Sequence, residues 1–170
     1  MTEDSNKNPQ TAATGNTRTG QFAIQKIYTK DLSFETPHSP QIFAEEWKPV
    51  VNMQLASSAN KVNDDLTEVT LSVTVTVNLG EKTAYLVEAN IGGIFLIKEF
   101  PPEIVEHMAA TLCPNILFPF ARELVADMVT RGGFPQLLLA PVNFEALYAQ
   151  QKKTNEQKTT GAAGNGTIKH

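Results

Sequence analysis

Between Val69 and Asn78 the chain alternates without a break: Val69, Leu71, Val73, Val75 and Val77 interleave with Thr70, Ser72, Thr74, Thr76 and Asn78. Successive side chains of a strand point to opposite faces, so this period of two puts the branched apolar residues on one side and hydroxyls on the other. A sheet built on such a strand has one solvated face and one apolar face that a second layer must cover. The segment Asn78-Leu79-Gly80-Glu81-Lys82 has turn chemistry, and residues 83–95 read as the returning strand. Phe22, Ile24 and Lys26 alternate less perfectly with Ala23, Gln25 and Ile27 in a strand pattern that continues toward Phe34. A strand around Val51–Ser57 completes a four-stranded meander, with antiparallel pairing favoured by the short connections.

Beyond the strands the period changes. Pro101-Pro102 can open a helix, since a proline in the first turn loses no intrahelical hydrogen bond. Ile104, Val105, Met108, Ala109 and Leu112 then recur at helical spacing. Pro114 is expected to break or kink that helix, and a second pattern runs through Phe120, Leu124, Met128 and Val129 to Gly132-Gly133. Asn143 is a suitable N-cap for a last helix starting near Phe144. The fold class expected is α+β, a four-stranded antiparallel sheet with a helix layer. Residues 1–20 and 151–170 are polar and read as disordered tails around a folded domain at 21–150.

Composition excludes several functions. A net charge of −4 argues against nucleic acid as the main partner, because neutralising its phosphates needs a basic patch. One cysteine excludes an internal disulfide, and the polar N-terminus carries no signal-peptide core. No apolar run approaches the ~20 residues needed to span a bilayer, so a soluble cytoplasmic protein is expected. His38, His107 and His170 show no metal-site spacing, and Cys113 has no CxxC partner and reads as a buried structural thiol. Gly92-Gly93 and Gly132-Gly133 lack the phosphate-loop pattern, and the first pair reads as a bulge or strand end. With no acid, base, nucleophile or metal set to name, neither an enzyme nor a cofactor is expected.

Two constellations stand out. The first is acidic: Asp31, Glu35 and Glu88, with Leu86 on the parity of Glu88, while Val87, Ala89 and Ile91 take the opposite parity. A leucine beside carboxylates suits a partner both basic and apolar; ordinary surface acids would read the same way. The second is aromatic and apolar, comprising Phe43, Trp47, Tyr85, Phe95, Phe134, Leu137, Leu138, Leu139, Phe144 and Tyr148, which fits either a core or a binding groove. Much of it lies in the proline-broken stretch 113–148, whose loops carry more apolar surface than loops usually do.

Four segments together resemble the SecB family of protein-export chaperones: residues 27–35 (IYTKDLSFE), 92–95 (GGIF), 113–123 (CPNILFPFARE) and 134–144 (FPQLLLAPVNF). The resemblance runs from Phe22 to Tyr148. It implies a homotetramer, a dimer of dimers in which first strands pair edge to edge and two sheets sandwich the helices. It further implies an ATP-independent holdase for unfolded secretory precursor proteins, delivering them to the SecA ATPase, whose zinc-bearing segment would dock on Asp31, Glu35, Leu86 and Glu88. Clients would be held by Phe43, Trp47, Tyr85, Phe134, Leu137, Leu139 and Tyr148, and Val87, Ala89 and Ile91 would lie at the tetramer interface. A chaperone controlling a toxin–antitoxin pair and a small-molecule or lipid-binding protein are the alternatives.

Overall fold

The structure, a computed structural model, describes residues 20–162, and side-chain surroundings as far as Asn155. The expected tails at 1–19 and 163–170 lie outside the described residues. Four antiparallel strands, β1 (Gln21–Glu35), β2 (Val50–Lys61), β3 (Leu66–Leu79) and β4 (Lys82–Lys98), are followed by helices α1 (Pro102–Ala110), α2 (Leu112–Arg131) and α3 (Phe144–Ala162).

The sheet order is β1-β4-β3-β2, which corrects the expected meander. Hairpins join β2 to β3 and β3 to β4, but the connection 36–49 carries the chain from one edge of the sheet to the other. Buried Ile42, in the short helical turn Gln41–Ala44, anchors that connection to the core. Leu79 pairs with Lys82 across the two-residue loop of the second hairpin, and Gly80 there takes a φ of 59°, which a β-carbon disfavours.

The alternation in β3 holds throughout: Val69, Leu71, Val73, Val75 and Val77 are sealed and their polar neighbours are half-buried. In β1 the pattern slips twice, and each slip is a β-bulge, between Ile24 and Lys26 and between Thr29 and Asp31. An extra residue at each bulge resets the parity, so Phe22, Ile24, Ile27, Leu32 and Phe34 all share the inner face. The Gly92-Gly93 pair is neither a bulge nor a strand end. It lies within β4 in unbroken register with β3, and each glycine admits a close neighbour. A β-carbon on Gly92 would meet the Tyr28 ring at 2.5 Å, and one on Gly93 would meet Leu117 of α2 at 2.8 Å. With nothing on Gly92, Tyr28 crosses β4 and donates its hydroxyl to Glu68 on β3, which also accepts from Lys30 at 2.9 Å.

The helix layer lies across β4 and β3. Pro114 breaks the run, as expected, but the break falls at Thr111. Pro114 has no N–H for the carbonyl four residues back, that of Ala110, and Ala110 is the last residue of α1. The buried stripe of α2 is Cys113, Leu117, Phe118, Ala121, Val125 and Val129, so Phe120, expected on the core face, is exposed. By length and composition the helical run Pro102–Arg131 is apolar enough to cross a membrane, a test that a core-covering helix also passes. Here its buried stripe covers the sheet, while Ile104, Leu112 and Phe120 stay exposed. Asn143 caps α3 through its side-chain oxygen, which accepts the Ala146 N–H at 3.0 Å. The helix then continues past residue 150 into the expected tail, because no proline or glycine interrupts it before Gly161.

Candidate functional site

Two surfaces gather the residues singled out above. One is an aromatic cluster at the end of the sheet where α2 stops, and its position follows from how that helix terminates. Gly132 caps α2, Gly133 takes a φ of 85°, and two backbone bonds close the end: Gly133 N–H to Thr130 O at 3.0 Å and Phe134 N–H to Val129 O at 3.2 Å. This is the Schellman arrangement, which needs a left-handed residue where glycine stands. It turns Phe134 back over the sheet. The Phe134 ring lies 4.8 Å from Tyr85, 4.9 Å from Phe43, 5.8 Å from Trp47 and 6.5 Å from Phe34. Gly132 helps, since a β-carbon there would overlap the Phe34 ring.

The cluster has a floor and a rim. Tyr85 and Phe134 are 1% and 6% exposed and form the floor, whereas Phe43 and Trp47 are 51% and 37% exposed and form the rim. Burial pushes the Tyr85 phenol up to about 12. Of the other expected groove residues, Leu137 is half-buried and Leu139 is buried, so Leu139 supports the loop rather than facing solvent. Leu138 between them is 70% exposed. Tyr148 sits apart, at the junction of α1 and α3, donating to Glu106 at 3.1 Å and packed edge-on against His107. His107 in turn meets Glu145 at 2.9 Å.

The sequence reading missed Phe34 and the inner face of β2. Val51, Met53 and Leu55 stand opposite Val77, Val75 and Val73, yet Val51 and Met53 remain exposed because the helix layer does not reach them. Their own alternation carried the signal. The apolar sheet face therefore continues, uncovered, from the core out to its β2 edge.

The second surface is the outer, polar face of the sheet. Cross-strand pairing sets three rows there: Asp31–Asn90–Ser72, Ser33–Glu88–Thr74 and Glu35–Leu86–Thr76. Asp31, Glu35, Leu86 and Glu88 thus share one face, with the carboxylates exposed and Leu86 half-buried. The second bulge of β1 makes this possible. Without it Asp31 and Glu35 would take the parity of Leu32 and Phe34 and face the helices. None of the three carboxylates forms an ion pair among the described residues. Lys82, in the turn beside Glu81, is paired with Glu45 at 2.5 Å.

Val87, Ala89 and Ile91 require a correction. They are sealed on the inner face, in one core with Leu117, Ala121 and Val125 of α2, so the chain's own helix covers the surface expected to meet another copy. Cys113 is sealed in the same core, and burial raises its thiol to about 12.

Comparison with known proteins gives a consistent result. Residues 15–155 match the family of preprotein translocase subunit SecB. The "Protein-export protein SecB" of Nitrosococcus oceani is 54% identical, covering 96% of this chain and 98% of that one. The protein of the same name from Marinobacter nauticus is 49% identical over 92% of this chain and 95% of its own length. Among solved structures, a Mycobacterium tuberculosis SecB-like chaperone in complex with a ChAD peptide from an antitoxin shares the fold, with a TM-score of 0.58. It is 19% identical, and the match covers 72% of this chain and 91% of that one.

Proposed function

The chain belongs to the SecB family of preprotein translocase subunits, and from that premise we propose that it is an ATP-independent holdase. It keeps secretory precursor proteins unfolded and export-competent in the cytoplasm and delivers them to the SecA motor. One observation carries the reading. Phe43 and Trp47 stand exposed around the Phe134–Tyr85 floor, and the cross-strand row Tyr85–Val77–Val51 carries the apolar face on to the uncovered Val51 and Met53 of β2. A folded protein hides its apolar residues, whereas an unfolded chain presents them in series, so such a surface selects unfolded clients without a sequence code.

The outer face serves the hand-over: Asp31, Glu35 and Glu88 attract a basic segment and Leu86 seats an apolar side chain. Assembly as a dimer of dimers is supported by β1, which pairs only with β4 and leaves its other edge open among the described residues. The second contact falls to the exposed residues of α2, Leu112 and Phe120, in place of the sealed Val87, Ala89 and Ile91. Repeating the groove around a symmetric particle multiplies weak contacts into avidity.

The test is aggregation of a chemically denatured secretory precursor diluted into buffer without nucleotide. Substoichiometric assembled protein should delay it, and the absence of delay refutes the holdase. In parallel, Glu88→Lys should weaken capture of SecA while leaving the delay intact.

A further inference from the structure

We infer that the Tyr85 hydroxyl is the groove's hydrogen-bond donor to the client backbone, taking a main-chain carbonyl of the extended segment that lies over the aromatic floor. The inference rests on the holdase reading and adds a polar contact to a surface otherwise described by its apolar area. Tyr85 is 1% exposed, its ring packed 4.8 Å from Phe134 and 5.8 Å from Phe34. A buried tyrosine hydroxyl normally finds a partner. This one has none among the described residues, unlike Tyr28, which bonds Glu68, and Tyr148, which bonds Glu106.

The oxygen is nevertheless not sealed. Among the described residues the only fully enclosed side-chain polar atom without a partner is Thr36 Oγ1. Tyr85 therefore holds a rigid ring in the floor, and its unengaged hydroxyl carries what little exposure the residue keeps. Burial keeps the group protonated far above neutral pH, so it is a donor throughout the working range. Of the clustered side chains Phe34, Tyr85, Phe43, Trp47 and Phe134, only Tyr85 and the rim residue Trp47 carry a side-chain donor. An extended client offers one carbonyl per residue whatever its sequence, so a single fixed donor adds affinity without adding sequence preference. It also favours chain segments whose backbone is free, as in an unfolded precursor.

Tyr85→Phe removes only the oxygen. The ligand is a fluorescent synthetic peptide rich in Leu and Phe, read by anisotropy, together with a set of copies in which single amides are replaced by esters, weakening one carbonyl acceptor at a time. Tyr85→Phe should bind the parent peptide about two- to tenfold more weakly, the range of one neutral hydrogen bond, with no loss of melting temperature. At least one ester position should weaken binding to the natural chain and leave binding to Tyr85→Phe unchanged. Equal binding by both proteins, the same ester profile on both, or a melting temperature lowered in Tyr85→Phe each overturns the inference. If the natural chain binds no such peptide, both this inference and the holdase reading fall. Normal peptide binding with no Tyr85→Phe effect removes this inference alone.

Discussion

Phe134→Ala tests whether the aromatic cluster is one packed unit or a set of separate contacts. The ring is 6% exposed and lies within 6 Å of Tyr85, Phe43 and Trp47 (4.8, 4.9 and 5.8 Å between centroids). Truncating a buried phenylalanine costs about 3–5 kcal/mol, from lost transfer free energy and from the cavity left behind. Tyr85 and Phe34 sit on β4 and β1 and cannot follow the retreating surface. Phe43 and Trp47 are partly exposed in the connection 36–49 and can swing inward, so the cavity partly closes and the cost falls near the lower limit, about 3 kcal/mol. Trp47 is the chain's one tryptophan, so its emission reports this cluster directly. The measurement is urea unfolding followed by Trp47 emission and by far-ultraviolet dichroism, at one fixed protein concentration because assembly couples to stability. The midpoint should fall with the slope unchanged, and the native emission should shift to the red as Trp47 meets more water. A loss below about 1 kcal/mol with native emission unaltered would show that Phe134 does not hold the cluster together.

Gly93→Val should destabilise by about 1–3 kcal/mol or more, because even the first added carbon would meet Phe95 at 2.6 Å and Leu117 at 2.8 Å in the core; the urea midpoint checks it. Glu68 is held below its ordinary carboxylate range, first by the Tyr28 hydrogen bond and then by that from Lys30. A lowered folded-state pKa stabilises above the unfolded value, and that contribution is lost as pH falls through the folded value. The melting-temperature gap between the natural chain and Glu68→Gln should therefore be widest near pH ~6 and close on acidification below about pH 4; a gap that widens in acid contradicts the assignment. Cys113, sealed and with its thiol raised to about 12, should resist a disulfide reagent at pH ~8 until urea unfolds the chain, and rapid labelling of the native protein would contradict its burial.

The local devices were legible because each depends on neighbours in the chain. The alternation of Val69–Val77, the Gly80 turn, the Asn143 cap and the Gly132-Gly133 helix end all stand where their residues indicated. Residues 27–35, 92–95, 113–123 and 134–144 also carried the family resemblance. What failed was non-local. Alternation separates two faces of a strand but does not say which strand lies beside it, so β1 was expected next to β2 and lies beside β4. Nor does it say how much of a face another layer covers: Val87, Ala89 and Ile91 are sealed under α2, while Val51 and Met53 on the same inner face are left open.

By itself, then, the sequence determined an amphipathic antiparallel sheet, a helix layer broken near Pro114, and membership in a recognisable family. Only the tertiary structure decided the parity of β1. The first bulge turns Ile27 inward and the second restores the parity of Phe22 and Ile24, so Leu32 and Phe34 lie inside and Asp31 and Glu35 share the face of Leu86 and Glu88. The reason is energetic: full burial of a leucine or a phenylalanine is worth about 1.5–3 kcal/mol, and the half-buried Leu32 and Phe34 gain part of it against the core. That gain exists only once β4 and the helices are in place, and no count along β1 alone contains it.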